Sequence, residues 1–204
     1  MPHPLRALAG QGIDTIKGAV PTRFSPPVAS RARWTPERAK AWRREVGWLV
    51  GCNFTPSTAG NQLELWQAPT FDPETIDREL GWAADLGFNS IRLFLHDLVW
   101  LLYGEAFLDR IDEVLAIADG HGIGVMPVLF DGVWHPHPRP GPQTEPRPGV
   151  HNSMWVQGPG AAVLDDPRRW SVDAGGVKRV VATNLFVQQR CIEHRARDRT
   201  RLVQ

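Results

Sequence analysis

Three short apolar runs, each ending in polar or aromatic groups, constrain the fold of this chain more than any other feature. They are "GWLVGCNF" at 47–54, "SIRLFL" at 90–95 and "IGVMPVLF" at 123–130. Near-continuous apolar runs of strand length are the mark of a parallel sheet with both faces covered. Helical patterns separate them. After the first run, Asp72 stands as an N-cap before Pro73 at the first helical position, and Ile76, Leu80, Ala83 and Ala84 fall on one face up to a stop at Gly87. After the second, Phe107, Ile111, Val114, Leu115 and Ala118 recur at helical spacing over 105–119, and Gly120 and Gly122 end the pattern. A further short helix is expected over 35–46, with Thr35 as cap and Pro36 at its first position. The order strand, helix, strand, helix, strand calls for a βαβαβ unit with right-handed crossovers.

Two architectures use that unit. A doubly wound nucleotide-binding sheet wants a glycine-rich turn after its first strand, and "CNFTPSTAGNQ" holds neither G-x-G-x-x-G nor a phosphate loop. Every strand here exits instead into side chains suited to a site: Asn53, then His96 and Asp97, then Asp131, Trp134 and His135. In (β/α)8 barrels that carboxyl-end face carries the chemistry. The expected fold is therefore α/β, a partial (β/α)8 TIM barrel comprising about the first three to four βα units. The expected organisation is a flexible leader over 1–33, the partial barrel over 34–170, and a divergent tail over 171–204.

Bulk properties exclude several classes. The formal net charge of +1 gives no field favouring nucleic acid or an anionic membrane. No apolar run approaches the roughly 20 residues that span a bilayer, and the N-terminal stretch lacks a continuous apolar segment of signal-peptide type. Cys52 and Cys191 are too far apart in sequence to suggest a disulfide framework or a metal site. A reducing, cytoplasmic setting is expected, with no cofactor. Nine tryptophans against one tyrosine is the single unusual count. Packing accounts for part of it, and a cleft that stacks flat ligands such as sugar rings would account for the rest.

The stretches "FDPETIDRELGWAADLGFNSIRLFLHD" and "FLDRIDEVLAIADGHGIGVMPVLFD" resemble the first units of cellulase-like glycoside hydrolases, the family-five type of clan A. The G-F-N-x-I-R-L motif at 87–93 is the most specific piece, and D-x-x-x-x-x-A-x-x-x-G-I at 112–123 resembles the usual approach to the third strand. The resemblance spans about 34–170. It implies hydrolysis of β-linked glucan, mannan or xylan chains, with Arg92 supporting the nucleophilic glutamate from beneath the catalytic centre. It also implies two glutamates about 5 Å apart, the acid/base following an asparagine on the fourth strand and the nucleophile on the seventh. The sequence holds no Asn-Glu dipeptide. "VKRVVATNLFV", 177–187, is a candidate fourth strand, but Leu185 follows Asn184. The chain is accordingly expected to be inactive alone, as a truncated or frame-shifted form whose family-like sequence ends near Trp170. Open sheet edges would then favour self-association.

The candidate site residues are these. Arg92, in a strand, needs a carboxylate or several acceptors if buried, and Asp131 is a candidate ion-pair partner. Trp66, in the loop after the first strand, is expected to stack a sugar, with Glu64 accepting from its hydroxyls. Asn53, His96, Asp131, Trp134 and His135 are expected to line the cleft at the strand ends, and Asn152 and Trp155 to complete its rim from "GVHNSMWVQGPG". No metal ligands are assigned. His135 and His137 form a His-x-His pair that raises a metal-dependent hydrolase as an alternative, and a non-catalytic carbohydrate-binding pseudo-enzyme is the other.

Overall fold

The computed structural model describes residues 34–166; the candidate fourth strand and the tail lie outside them. The described residues divide into two compact units at the boundary between Leu49 and Val50. The first contains helix α1 (Pro36–Val46), opened as expected: the Thr35 hydroxyl accepts from the Arg38 N–H, Pro36 takes the first position, and Gly47 closes the helix at φ +73°. None of its residues is buried. Trp34 and Trp42 meet edge to face, and the Arg38 guanidinium lies over the Trp34 ring.

The second unit is an α/β structure built on a three-stranded parallel sheet in the order β1 (Gly51–Phe54), β2 (Ser90–Phe94), β3 (Gly124–Val128). Between β1 and β2 come α2 (Gln62–Trp66) and α3 (Pro73–Asp85). Between β2 and β3 come α4 (Asp97–Tyr103) and α5 (Glu105–Gly120), and a last short helix α6 (Ala161–Leu164) follows the long loop after β3. The caps read from the sequence are in place. The Asp72 carboxylate accepts from the Thr75 N–H at 3.0 Å, and the chain leaves α3 through Gly87 at φ +87°, a conformation that favours glycine.

The register fixes which side chains share a face. Cys52, Ile91 and Val125 form one row and Phe54, Leu93 and Pro127 another. Because side chains alternate along a strand, both rows point to one side of the sheet. There Phe54, Ile91, Leu93 and Val125 join Ile76 and Leu80 of α3 and Phe107, Ile111, Val114 and Ala118 of α5 in a single core. Each of the large side chains among them contributes about 1.5–3 kcal/mol by leaving water. Both long helices lie on that one side.

The expectation that both faces are covered is corrected here. The opposite face carries the row Asn53, Arg92, Met126, and all three are exposed, Met126 by 52 %. An apolar strand composition shows that a residue tolerates burial, and it leaves open whether one face or two are packed. At the carboxyl end of that same face Phe94 is buried under the Trp155 ring, which meets it edge to face at 5.2 Å.

Candidate functional site

The site is assembled by the loops that follow β1 and β3, and buried amides join the two. Asn61 is fully buried and does two jobs. Its Oδ1 caps α2 by accepting from the Leu63 and Glu64 N–H groups, each at 3.0 Å, while its Nδ2 donates to Gln143 Oε1 and Met154 O, each at 2.9 Å. Gln62 Nε2 donates to Val156 O at 2.7 Å. The Gln67 amide pairs with the backbone of Gly141 in both directions: Nε2 donates to Gly141 O, and Gly141 N–H donates to Oε1 at 2.6 Å. Gly60 lets the first loop pass against the Met154 thioether, where a Cβ would collide with Sδ and Cε.

Between these loops lies a cleft of about 530 Å³. The first loop contributes Ser57, Thr58 and Glu64; the third contributes Gln143, Glu145, Arg147, Asn152 and Ser153. Ala59, Pro146, Val150 and Met154 add apolar lining, so the cleft is mixed in character, and its volume is within the size range of small-ligand sites. Glu64 is held in place by accepting the Gly60 N–H at 2.8 Å, and Ser57 is anchored from behind by Glu79 of α3, which accepts both its N–H and its hydroxyl.

The segment after β3 folds back on itself. Asp131 and Gly158 exchange two backbone hydrogen bonds, and His135 and Val156 form a second bridge. Asp131 accepts the Trp155 indole N–H at 2.6 Å, so it is not the partner of Arg92. Arg92 instead donates to Asn53 Oδ1 at 3.2 Å and lies over the Phe94 ring, its Cζ 5.3 Å from the centroid. Arg92 is exposed, so no buried charge has to be compensated.

Two expected lining residues are corrected. Trp66 is wholly buried: its Nε1–H donates to Phe94 O at 2.7 Å, Phe71 stacks on it, and Phe107 meets it edge on. No face of the indole remains for a sugar. The short helix α2, which the sequence reading missed, turns that side chain into the core. His96 is also buried. It caps α4, accepting the Leu98 N–H at Nδ1, and its Nε2–H donates to Gln157 O at 3.0 Å, with the Asp97 carboxylate 3.0 Å from Nδ1. His96 therefore ties the end of β2 to the returning segment and does not face the cleft.

The remaining candidates stay near the surface. Glu64 and Asn152 line the cleft. Trp134 is 48 % exposed with its ring edge-on to His151, and His135 is exposed, its Nδ1 accepting the His137 N–H at 3.3 Å. Trp155 is half-buried between Asp131 and Phe94. Among the described residues no group of three or more His, Cys, Asp or Glu is placed to hold a metal ion, and none of the helices is long and apolar enough to cross a membrane. Sequence reasoning missed Asn61, Gln62 and Gln67. Their only signal is three amides crowded into "NQLELWQ" beside apolar residues, where buried amides must find partners.

No family model, curated protein or solved structure matches this chain.

Proposed function

We propose that residues 50–166 form the first three units of a (β/α)8 barrel of glycoside-hydrolase type, and that the cleft between the first and third loops binds β-linked glucan, mannan or xylan chains. One observation carries the reading. A cleft of about 530 Å³ stands where the loops leave the carboxyl ends of β1 and β3, in a parallel sheet whose strands lie in sequence order. Ligands of parallel α/β sheets gather at that end. The serine, threonine, amide and carboxylate groups within that mixed lining match sugar hydroxyls, which both donate and accept. In this reading the open row Asn53, Arg92, Met126 is the barrel's inner face. The family resemblance of Gly87 through Leu93 supports the same assignment, with Arg92 presented on that face.

The two-carboxylate mechanism needs an acid and a nucleophile about 5 Å apart, and the sequence offers no Asn-Glu dipeptide for the first. The activity proposed for this chain is binding without hydrolysis and without a cofactor. Isothermal titration of the purified chain with cellohexaose, xylohexaose and mannohexaose, with a reducing-sugar assay in parallel, tests it. Saturable heat with at least one oligomer and no new reducing ends is expected. Absence of heat with all three, or turnover of any of them, contradicts it.

A further inference from the structure

Helix α1 spans 11 residues and buries none of them, and so short a helix is marginal in water without packing. It nonetheless carries a defined apolar stripe. Ala39, Trp42 and Val46 fall on one face at helical spacing. The Trp34 ring meets Trp42 edge to face at 6.2 Å and lengthens the stripe toward the N-terminus. Past the closing Gly47, the chain runs into Trp48 and Leu49, exposed by 76 % and 40 %. Tryptophan, rather than leucine or phenylalanine, supplies every large ring of this unit.

The charges are placed to suit that stripe. Arg38 and Arg43 stand on its two borders, with Cζ 4.6 Å from the Trp34 ring centroid and 5.5 Å from that of Trp48. Lys40 and Arg44 are exposed on the remaining surface. The sequence over 31–46 holds six basic residues against two acidic ones, Glu37 and Glu45. The net charge of +1 for the whole chain averages this local excess away. A partner that complements the unit is anionic and has an apolar layer directly beneath its charge. An acidic bilayer is built that way. Indole rings settle at headgroup depth, arginine stems lie along apolar surface while their guanidiniums reach phosphate oxygens, and basic side chains are drawn to acidic headgroups.

We propose that residues 34–49 form an interfacial anchor that lays α1 on an anionic lipid surface, with Trp34, Trp42 and Trp48 at headgroup depth and Arg38 and Arg43 on the phosphates. The anchor is independent of what the cleft binds, and it would hold the α/β unit at such a surface.

The test is co-sedimentation of the full chain with phosphatidylcholine vesicles and with vesicles that also contain about one-third phosphatidylglycerol, with a thermal melt of each variant. The unaltered chain is expected to pellet with the anionic vesicles alone, and less so as salt is raised. The double variants Arg38→Glu/Arg43→Glu and Trp42→Ala/Trp48→Ala are each expected to bind about tenfold more weakly or worse. Their Tm should equal that of the unaltered chain, since none of the four side chains is buried. Absence of binding to the anionic vesicles, equal binding to both kinds, or binding that both variants leave unchanged overturns the anchor. A fall in Tm also overturns it, because α1 would then be packed against the rest of the chain. Tighter binding of a single-stranded oligonucleotide or of polyglutamate, lost in the same variants, overturns the lipid surface in favour of an acidic polymer.

Discussion

The segment after β1 and the segment after β3 each carry a tryptophan, and the fold treats them in opposite ways. Trp66 enters on a short helix, disappears into the core and spends its N–H on Phe94 O. Trp134 stands on strained backbone with much of its ring in solvent. The difference lies in what each side chain meets. Trp66 finds Phe71 and Phe107 on the helix-covered side of the sheet, whereas Trp134 meets the His151 ring with nearly half of its own surface exposed. One tryptophan is spent on the core, and the other stays at the surface.

Substitutions sharpen that contrast. The largest effect is expected at Trp66, where Trp66→Ala should cost about 3–5 kcal/mol of unfolding free energy, measured by urea denaturation. Trp134→Ala should stay within about 0.5 kcal/mol, as for an exposed site. Equal costs at the two positions would erase the distinction. Next in size, Asn61→Ala removes the α2 cap and leaves Met154 O without its donor, and about 1–3 kcal/mol is expected. It should also weaken oligosaccharide binding, because one of the three amide ties between the two loops is lost. A loss of stability with affinity unchanged would separate the stitching from the cleft.

A smaller effect is expected at Trp155→Phe. The ring against Phe94 is kept while the Asp131 carboxylate loses its indole donor, costing about 1 kcal/mol. The smallest is at Asp72. Its hydrogen bonds from the Thr75 backbone and side chain hold its carboxyl below the usual aspartate range. A group depressed in the folded state adds stability above its unfolded pKa and loses it as pH falls through the folded value. The Tm gap between the unaltered chain and Asp72→Ala should therefore be widest near neutral pH and close in acid. A gap independent of pH would contradict the cap's charge as its origin.

How much of this was legible in the sequence follows from the range of the forces involved. The strands, α3 and α5 were legible because periodicity, caps and stop glycines are local. Pro73 after Asp72 and Gly87 after the apolar face mark α3 without any tertiary information. The short helices α2 and α4 were not, since "NQLELWQ" and "DLVWLLY" are too brief for a period to declare itself; the cap Asn61 carried no signal of its own, and the cap His96 read as a site residue. Burial was the least legible property. Arg92 and Met126 alternate with Ile91, Leu93 and Val125 as barrel-interior residues would, and only the placement of both long helices on one side decides which row is covered. For the same reason Asp131 was a plausible partner for Arg92 until the loop after β3 turned Trp155 onto it.

The central claim is that the cleft between the two loops takes the ligand while Trp66 stays in the core, and side-chain resonances report it directly. In a 1H–15N titration of the full chain with whichever of the three hexaoses gives the largest heat, the Asn152 side-chain amide and the Trp66 Nε1–H are identified by Asn152→Asp and Trp66→Phe. The Asn152 signal should shift progressively and saturate with the calorimetric Kd, and the Trp66 signal, hydrogen-bonded inside the core, should stay in place. An Asn152 signal that does not move while heat is released, or a Trp66 signal that moves in its stead, would contradict the reading of the cleft.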